Sequence, residues 1–138
     1  MSYAVFTDGC SNLPGRLLSE LKIEVLPCNY TMDGVPCVFE GDMETFDAKS
    51  FYDKLRAGSV VKTSLLNTHL FMTHFRTELE KGRDVIYVGM SSGISGTIQA
   101  AKIAAMELAD EFPEADRSCK RSNCRNRYGS EYQASSLG

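Results

Sequence analysis

The chain reads as an α/β domain, a mainly parallel sheet with flanking helices, and three observations point there. Strand-like and helix-like segments alternate from residue 3 to residue 112. Val85-Ile86-Tyr87-Val88 is an apolar run without polar alternation, the pattern of a parallel strand covered on both faces. Ile94, Ile98, Ala101, Ala105, Leu108 and Phe112 recur at steps of four and three, which makes one continuous helical face.

The other elements follow in order. Residues 3–7 form a short apolar run, read as the first strand, and residues 8–12 are rich in turn formers. Leu13-Pro14 opens a short helix, because the N–H that proline lacks is spare in a first turn. Leu17, Leu18 and Leu21 give that helix an apolar face. Ile23-Glu24-Val25-Leu26 reads as a second strand, continued by residues 29–31. Met32-Asp33-Gly34 then turns the chain into a return strand over 35–39. Pro36 cannot donate to a ladder, so the return strand belongs at an edge.

After an acidic loop over 40–44, Thr45 is expected to cap a helix over 46–57. Phe51 and Leu55 should face inward and Gly58 should end it. Residues 60–64 are extended. Asn67 or Thr68 caps the next helix, Phe71, Phe75 and Leu79 share its inner face, and Lys81-Gly82 stops it.

The 138 residues suit one domain, with 43% hydrophobic content close to a soluble average. No apolar run approaches the roughly 18–20 residues of a membrane span, so no transmembrane segment is expected. The first residues lack a basic start and are broken at Asp8, unlike a secretory signal, so the expected location is cytoplasmic. The five cysteines are odd in number and form no C-x-x-C pair, which suits reduced thiols. Cys119 and Cys124 would hold a metal only with partners from elsewhere. No metal site and no cofactor is expected.

Charge is unevenly placed: residues 1–116 carry a net −7 and residues 117–138 a net +4. The basic end offers a contact for nucleic acid, but an acidic body repels phosphate and no aromatic residue interleaves the basic run before Tyr128. No nucleic-acid partner is expected. Residues 1–115 read as the domain. Residues 116–138 read as an atypical polar, basic tail, either disordered or the product of a truncated or frame-shifted gene.

The chemistry concentrates between the last strand and the last helix, in Gly89-Met90-Ser91-Ser92-Gly93-Ile94-Ser95-Gly96-Thr97. In open α/β sheets, ligands sit beyond the carboxyl ends of strands. A helix beginning at Ile94 would aim unpaired amides and the positive end of its dipole at that place. Gly93 and Gly96 permit close approach of a ligand to backbone. No Lys or Arg lies in the loop, and Thr97 follows Gly96 where a Walker-type loop needs Lys. The site therefore suits a single carboxylate or one phosphate group. The plainer alternative is a turn and a cap without a ligand.

Gly89-x-Ser91-x-Gly93 also fits the nucleophile elbow of hydrolases. Such a serine needs a histidine after it in the chain, yet His69 and His74 both precede it and, five residues apart on one helix, face different ways. No nucleophile–base pair is present, so the protein is expected not to be an enzyme. Asp8, at a strand end, is read as a structural residue that bonds loop amides.

Four segments together resemble the DegV family of bacterial fatty-acid-binding proteins. Thr7-Asp8-Gly9-Cys10-Ser11-Asn12-Leu13-Pro14 is similar to its opening motif, and Ile23-Glu24-Val25-Leu26-Pro27 to its second strand. Lys62-Thr63-Ser64 is similar to its Thr-Ser segment. Ser91-Ser92-Gly93-Ile94-Ser95-Gly96-Thr97 is close to its Ser-Ser-x-Leu/Ile-Ser-Gly-Thr signature. The resemblance covers residues 3 to about 112 and implies an N-terminal DegV-type domain with the second domain absent.

It further implies an acyl carrier. A long-chain fatty acid would lie in a tunnel between two domains, its carboxylate held by Thr63 and Ser95, with Ser64, Ser92, Gly93, Gly96 and Thr97 in support. Some members present that carboxylate to a separate ATP-dependent fatty acid kinase, and the carrier itself does no chemistry. Two departures qualify this. Leu65-Leu66-Asn67 stands where the family has Gln-Pro-Ser, although Leu65 suits an apolar tunnel. From Ala115 onward nothing aligns. With one tunnel wall missing, Leu65 and Ile94 would be exposed, binding would be impaired and self-association favoured. Two other readings stand beside it. One is a sugar-phosphate-binding domain, whose Ser-x-Ser-Gly-x-Thr spacing Ser95-Gly96-Thr97 does not match. The other is an inactive remnant.

Overall fold

The computed structural model describes residues 2–113 and, by backbone alone, 134–137. In chain order the elements are β1 (Tyr3–Asp8), a 3-10 turn (Gly9–Ser11), α1 (Gly15–Leu21), β2 (Ile23–Leu26), β3 (Cys28–Met32), β4 (Val35–Phe39), α2 (Ala48–Arg56), β5 (Val61–Thr63), α3 (Thr68–Glu80), β6 (Asp84–Val88), α4 (Thr97–Glu111) and β7 (Ala134–Leu137).

Two sheets form. The first has the order β2-β1-β6-β7. Its centre is β1, parallel to β2 on one side and to β6 on the other, with Val5 opposite Ile23 and Ile86. The backbone of β7 runs antiparallel along β6. The remainder of the segment read as a tail, residues 116–133 and Gly138, lies outside the described residues, as do Cys119 and Cys124. The second sheet is antiparallel, in the order β4-β3-β5, and sets Tyr30 between Cys37 and Thr63. Pro36 sits on β4, an edge strand, where its missing N–H costs no ladder bond.

The core lies on one face of the first sheet. Ala4, Phe6, Val85 and Tyr87 pack against Phe71, Phe75 and Leu79 of α3 and against Ile98, Ala101, Ala104 and Leu108 of α4, all buried. Phe71 and Tyr87 meet edge-on at 4.9 Å between ring centroids. Full coverage of β6 on both faces, expected from its apolar run, does not occur. Ile86 is only half-buried and Val88 is 42% exposed. Both long helices gather on the Val85–Tyr87 face, while α1 and α2 contain no buried residue.

Two further expectations change. Leu21 is 58% exposed, since a seven-residue helix turns only Leu17 and Leu18 partly inward. Asp47, not Thr45, caps α2 by accepting from the Ser50 N–H at 3.0 Å. Thr45 Oγ1 instead donates to the Asp42 carbonyl at 3.3 Å. Of the two cap candidates for α3, Asn67 is the one that caps it. Gly58 does end α2, at φ +100°, a conformation that favours glycine. Among the described residues, no helix is long and apolar enough to cross a membrane.

Candidate functional site

A cavity of about 470 Å³ opens where the carboxyl ends of β1 and β6 meet the second sheet. Phe39, Phe46 and Phe51 form its aromatic wall, held by ring contacts of 4.9 Å (Phe39–Phe46) and 5.4 Å (Phe46–Phe51). Tyr30 meets Phe51 edge-on at 5.8 Å. Leu65, Leu66 and Met90 add aliphatic and thioether surface. Hydroxyls come from Thr63 and Ser64 at the end of β5 and from Ser95 and Thr97 at the start of α4. No Lys, Arg or His is among the lining residues.

The turn that leads into α4 differs from the expected geometry. The helix begins at Thr97, three residues after Ile94, and Ile94 stands 76% exposed away from the α4 core face. The amides of Gly93, Ile94, Ser95 and Thr97, expected to be free, are used by the turn itself. The Ser91 carbonyl accepts from the N–H groups of Ile94 (2.9 Å) and Ser95 (3.0 Å), and Ser91 Oγ accepts from the Gly93 N–H at 3.3 Å. Ser95 Oγ accepts from the Thr97 N–H at 3.2 Å. Serines compete in this way with the helical ladder, so a Ser-rich segment closes on itself before the helix starts. The expected convergence of free amides from Ile94 onward is therefore not formed at those four positions, and side-chain hydroxyls are what this turn presents to the cavity.

Those hydroxyls are organised. Ser95 Oγ donates to Thr97 Oγ1 at 3.2 Å, which leaves the Thr97 proton for a second acceptor. Thr97 is buried at 8% exposure, Ser95 is half-buried and Thr63 is exposed. Of the residues singled out from sequence, Thr63, Ser64, Ser95 and Thr97 line the one cavity, and Ser92, Gly93 and Gly96 do not. Gly96 instead lets Leu65 approach: a Cβ at Gly96 would sit 3.2 Å from Leu65 Cδ1.

The other end of the polar lining was not foreseen. Asp8 is 2% exposed. Its Oδ1 accepts from the Cys10 N–H at 2.9 Å, the loop-amide bond expected of it, and its Oδ2 accepts from the Tyr87 hydroxyl. Beside this bond, Thr7 Oγ1 donates to the Val88 carbonyl at 2.9 Å, so the ends of β1 and β6 are tied twice. Burial first, then the bond to Asp8, raises the Tyr87 phenol well above its usual value. The Cys10 thiol is pushed up to about 12 by partial loss of water and then by the Asp8 charge. Burial and then Asp8 raise Cys28 as well. Only the short Asp8-x-Cys10 spacing hints at this cluster in the sequence; Tyr87 and Cys28 reach it through the sheets.

Neither the histidines nor Ser91 line the cavity, and the His74 ring packs edge-on to Phe6 at 6.2 Å.

The sequence profile of the DegV family matches residues 2–118. A DegV domain-containing protein of Clostridium perfringens is 32% identical over 114 residues, 83% of this chain and 39% of that protein. One of Listeria monocytogenes is 37% identical over 103 residues, 73% of this chain and 35% of that protein. The chain thus spans about two fifths of the length of these relatives. Among solved structures, a DegV family protein from Thermus thermophilus, described as fatty-acid binding, superposes with a TM-score of 0.67 at 29% identity, over 78% of this chain and 38% of that one. DegV from Bacillus subtilis, described as a fatty acid binding protein, gives 0.64 at 28% identity, over 78% and 37%. Profile, relatives and the α/β architecture with its mainly parallel first sheet agree, and the chain belongs to the DegV family.

Proposed function

We propose that this chain forms the carboxylate-holding part of a fatty-acid-binding protein. One observation carries the reading: Thr63, Ser64, Ser95 and Thr97 line the same cavity as Phe39, Phe46 and Phe51, with no basic side chain among the lining residues. Hydroxyls suit a carboxylate, and an aromatic and aliphatic wall suits an alkyl chain. The fatty-acid-binding descriptions of the T. thermophilus and B. subtilis relatives support it.

In this reading Thr63 and Ser95 hold the carboxylate: on binding, the Ser95–Thr97 bond reverses, Thr97 Oγ1 donates to Ser95 Oγ, and the Ser95 proton turns to the carboxylate. Each hydroxyl bond to a charged carboxylate contributes about 1.5–3 kcal/mol. Burial of the alkyl chain contributes about 0.8 kcal/mol per CH₂ and dominates affinity. The protein acts as an acyl carrier rather than an enzyme. It keeps the carboxylate at a polar, open end where a separate ATP-dependent fatty acid kinase reaches it.

Calorimetric titration of palmitate into the purified chain, with mass spectrometry of co-purified lipid, tests the proposal. Palmitate binding that falls at least about tenfold in Thr63→Ala and in Ser95→Ala is expected, the equivalent of one lost charged hydrogen bond. A thermal midpoint raised by phosphosugars and not by palmitate would favour a sugar-phosphate site instead.

A further inference from the structure

The Asp8 cluster holds a combination that the acyl-carrier reading does not use. An Asp8 carboxylate oxygen and the sulfurs of Cys10 and Cys28 all lie within 4.8 Å of one another. A tetrahedral cation with bonds of about 2.0–2.3 Å to oxygen and sulfur spaces its ligands roughly 3.5–4 Å apart. Contraction by at most about 0.8–1.3 Å therefore converts the cluster into a coordination shell. We propose that Asp8, Cys10 and Cys28 form a three-ligand site for a borderline-soft divalent cation of the zinc class, in the wall of the cavity, with the fourth position open.

The surroundings fit that cation. Two sulfurs and one carboxylate oxygen are a donor set that selects zinc-like ions over magnesium or calcium. Asp8 is already aimed: the Tyr87 hydroxyl and the Cys10 N–H fix its two oxygens, and each oxygen keeps a lone pair for a metal. Cys10 is exposed, which gives the ion an entry path. No basic side chain among the lining residues competes for the three acidic groups. On the same 3-10 turn, Ser11 Oγ is buried without a hydrogen-bond partner among the described residues, a polar atom the protein leaves unsatisfied. On binding, both thiols lose their protons to solvent, and two S–metal bonds and one O–metal bond form. The dication, two thiolates and one carboxylate leave a net charge of −1.

The inference is independent of fatty acid, and so is its test. Cobalt(II), a coloured stand-in for zinc, is titrated into the full chain under reducing conditions. The expected result is one bound equivalent with thiolate-to-cobalt charge-transfer absorption and intense tetrahedral bands, bleached by zinc(II). In Cys10→Ser and in Cys28→Ser, or Cys28→Ala should serine disturb packing, affinity falls at least tenfold. The double variant Cys119→Ser/Cys124→Ser keeps both spectrum and stoichiometry. Three results would overturn the proposal. They are cobalt binding without a charge-transfer band, binding lost in the Cys119/Cys124 variant but kept in Cys10→Ser, and formation of a Cys10–Cys28 disulfide in place of metal uptake.

Discussion

Tyr87 and Asp8 join two strand ends through a single buried hydrogen bond, and the site depends on it. Tyr87→Phe removes the donor and leaves one oxygen of a buried carboxylate without its partner. We expect a loss of about 1–3 kcal/mol in chemical denaturation, and a change within 0.5 kcal/mol, on the order of a neutral surface substitution, would show that the bond matters little. Gly89 tests the same contact sterically. A Cβ there would sit 2.6 Å from Tyr87 Cζ, and that ring has no exposed surface to move into. Gly89→Ala should cost at least about 1–3 kcal/mol by overpacking, whereas Gly93→Ala, whose Cβ would meet only Ser91 Oγ at 3.7 Å, should stay close to neutral. Differential scanning calorimetry of the pair distinguishes them. Asp8 could be read from sequence as a loop anchor, because an acid just before a turn bonds the next amides. Its bond to Tyr87 could not, since 79 positions separate the two residues.

Among the elements, what is local was legible. The β3–β4 hairpin follows from Asp33-Gly34, α3 from the spacing of Phe71, Phe75 and Leu79, and the edge position of β4 from Pro36. Helix starts were less so, because several residues compete for one cap. Thr45 and Asp47 both qualify, and the carboxylate wins the Ser50 amide. Asp47→Ala should cost about 1 kcal/mol and Thr45→Ala less than about 0.5 kcal/mol, as read from urea midpoints. The start of α4 was misplaced for the same reason, with Ser91 and Ser95 closing the turn first. The second sheet escaped notice because β5 finds its partner in β3, across α2. That sheet carries a pH signature. Asp33 Oδ1 accepts from the Val60 N–H at 2.8 Å. This bond first, and the Ser59 hydroxyl second, hold the carboxyl below its usual range. A lowered folded-state value means that the stabilisation is complete above pH ~4 and is lost as pH falls through the lowered value. Hydrogen exchange at the Val60 amide should accelerate in that acid window relative to neighbouring strand amides, and Asp33→Ala should remove the acid step.

For the whole molecule, the exposed apolar residues of the β5–α3 and β6–α4 connections and the end of β6 bear on the solution behaviour. Leu65 is 64% exposed, Ile94 76% and Val88 42%. Exposed apolar surface of this kind drives association. Ile94→Lys should lower the sedimenting mass of the chain at high concentration while leaving its thermal midpoint unchanged, because the Ile94 side chain is largely exposed. An unchanged mass would place any association elsewhere.

The central position of β1 has a consequence for birth of the protein on the ribosome. β1 leaves the exit tunnel first, yet one of its neighbours, β6, follows some 80 residues later. At roughly 5–20 residues per second, about 4–16 s separate synthesis of Asp8 from that of Tyr87. During that interval the β3–β4 hairpin can zip up on its own, while Phe6 and Asp8 wait without their partners. Nascent chains stalled before Val88 should therefore be clients for chaperones, and the ligand cavity comes into being only once translation has passed the Ser/Gly turn.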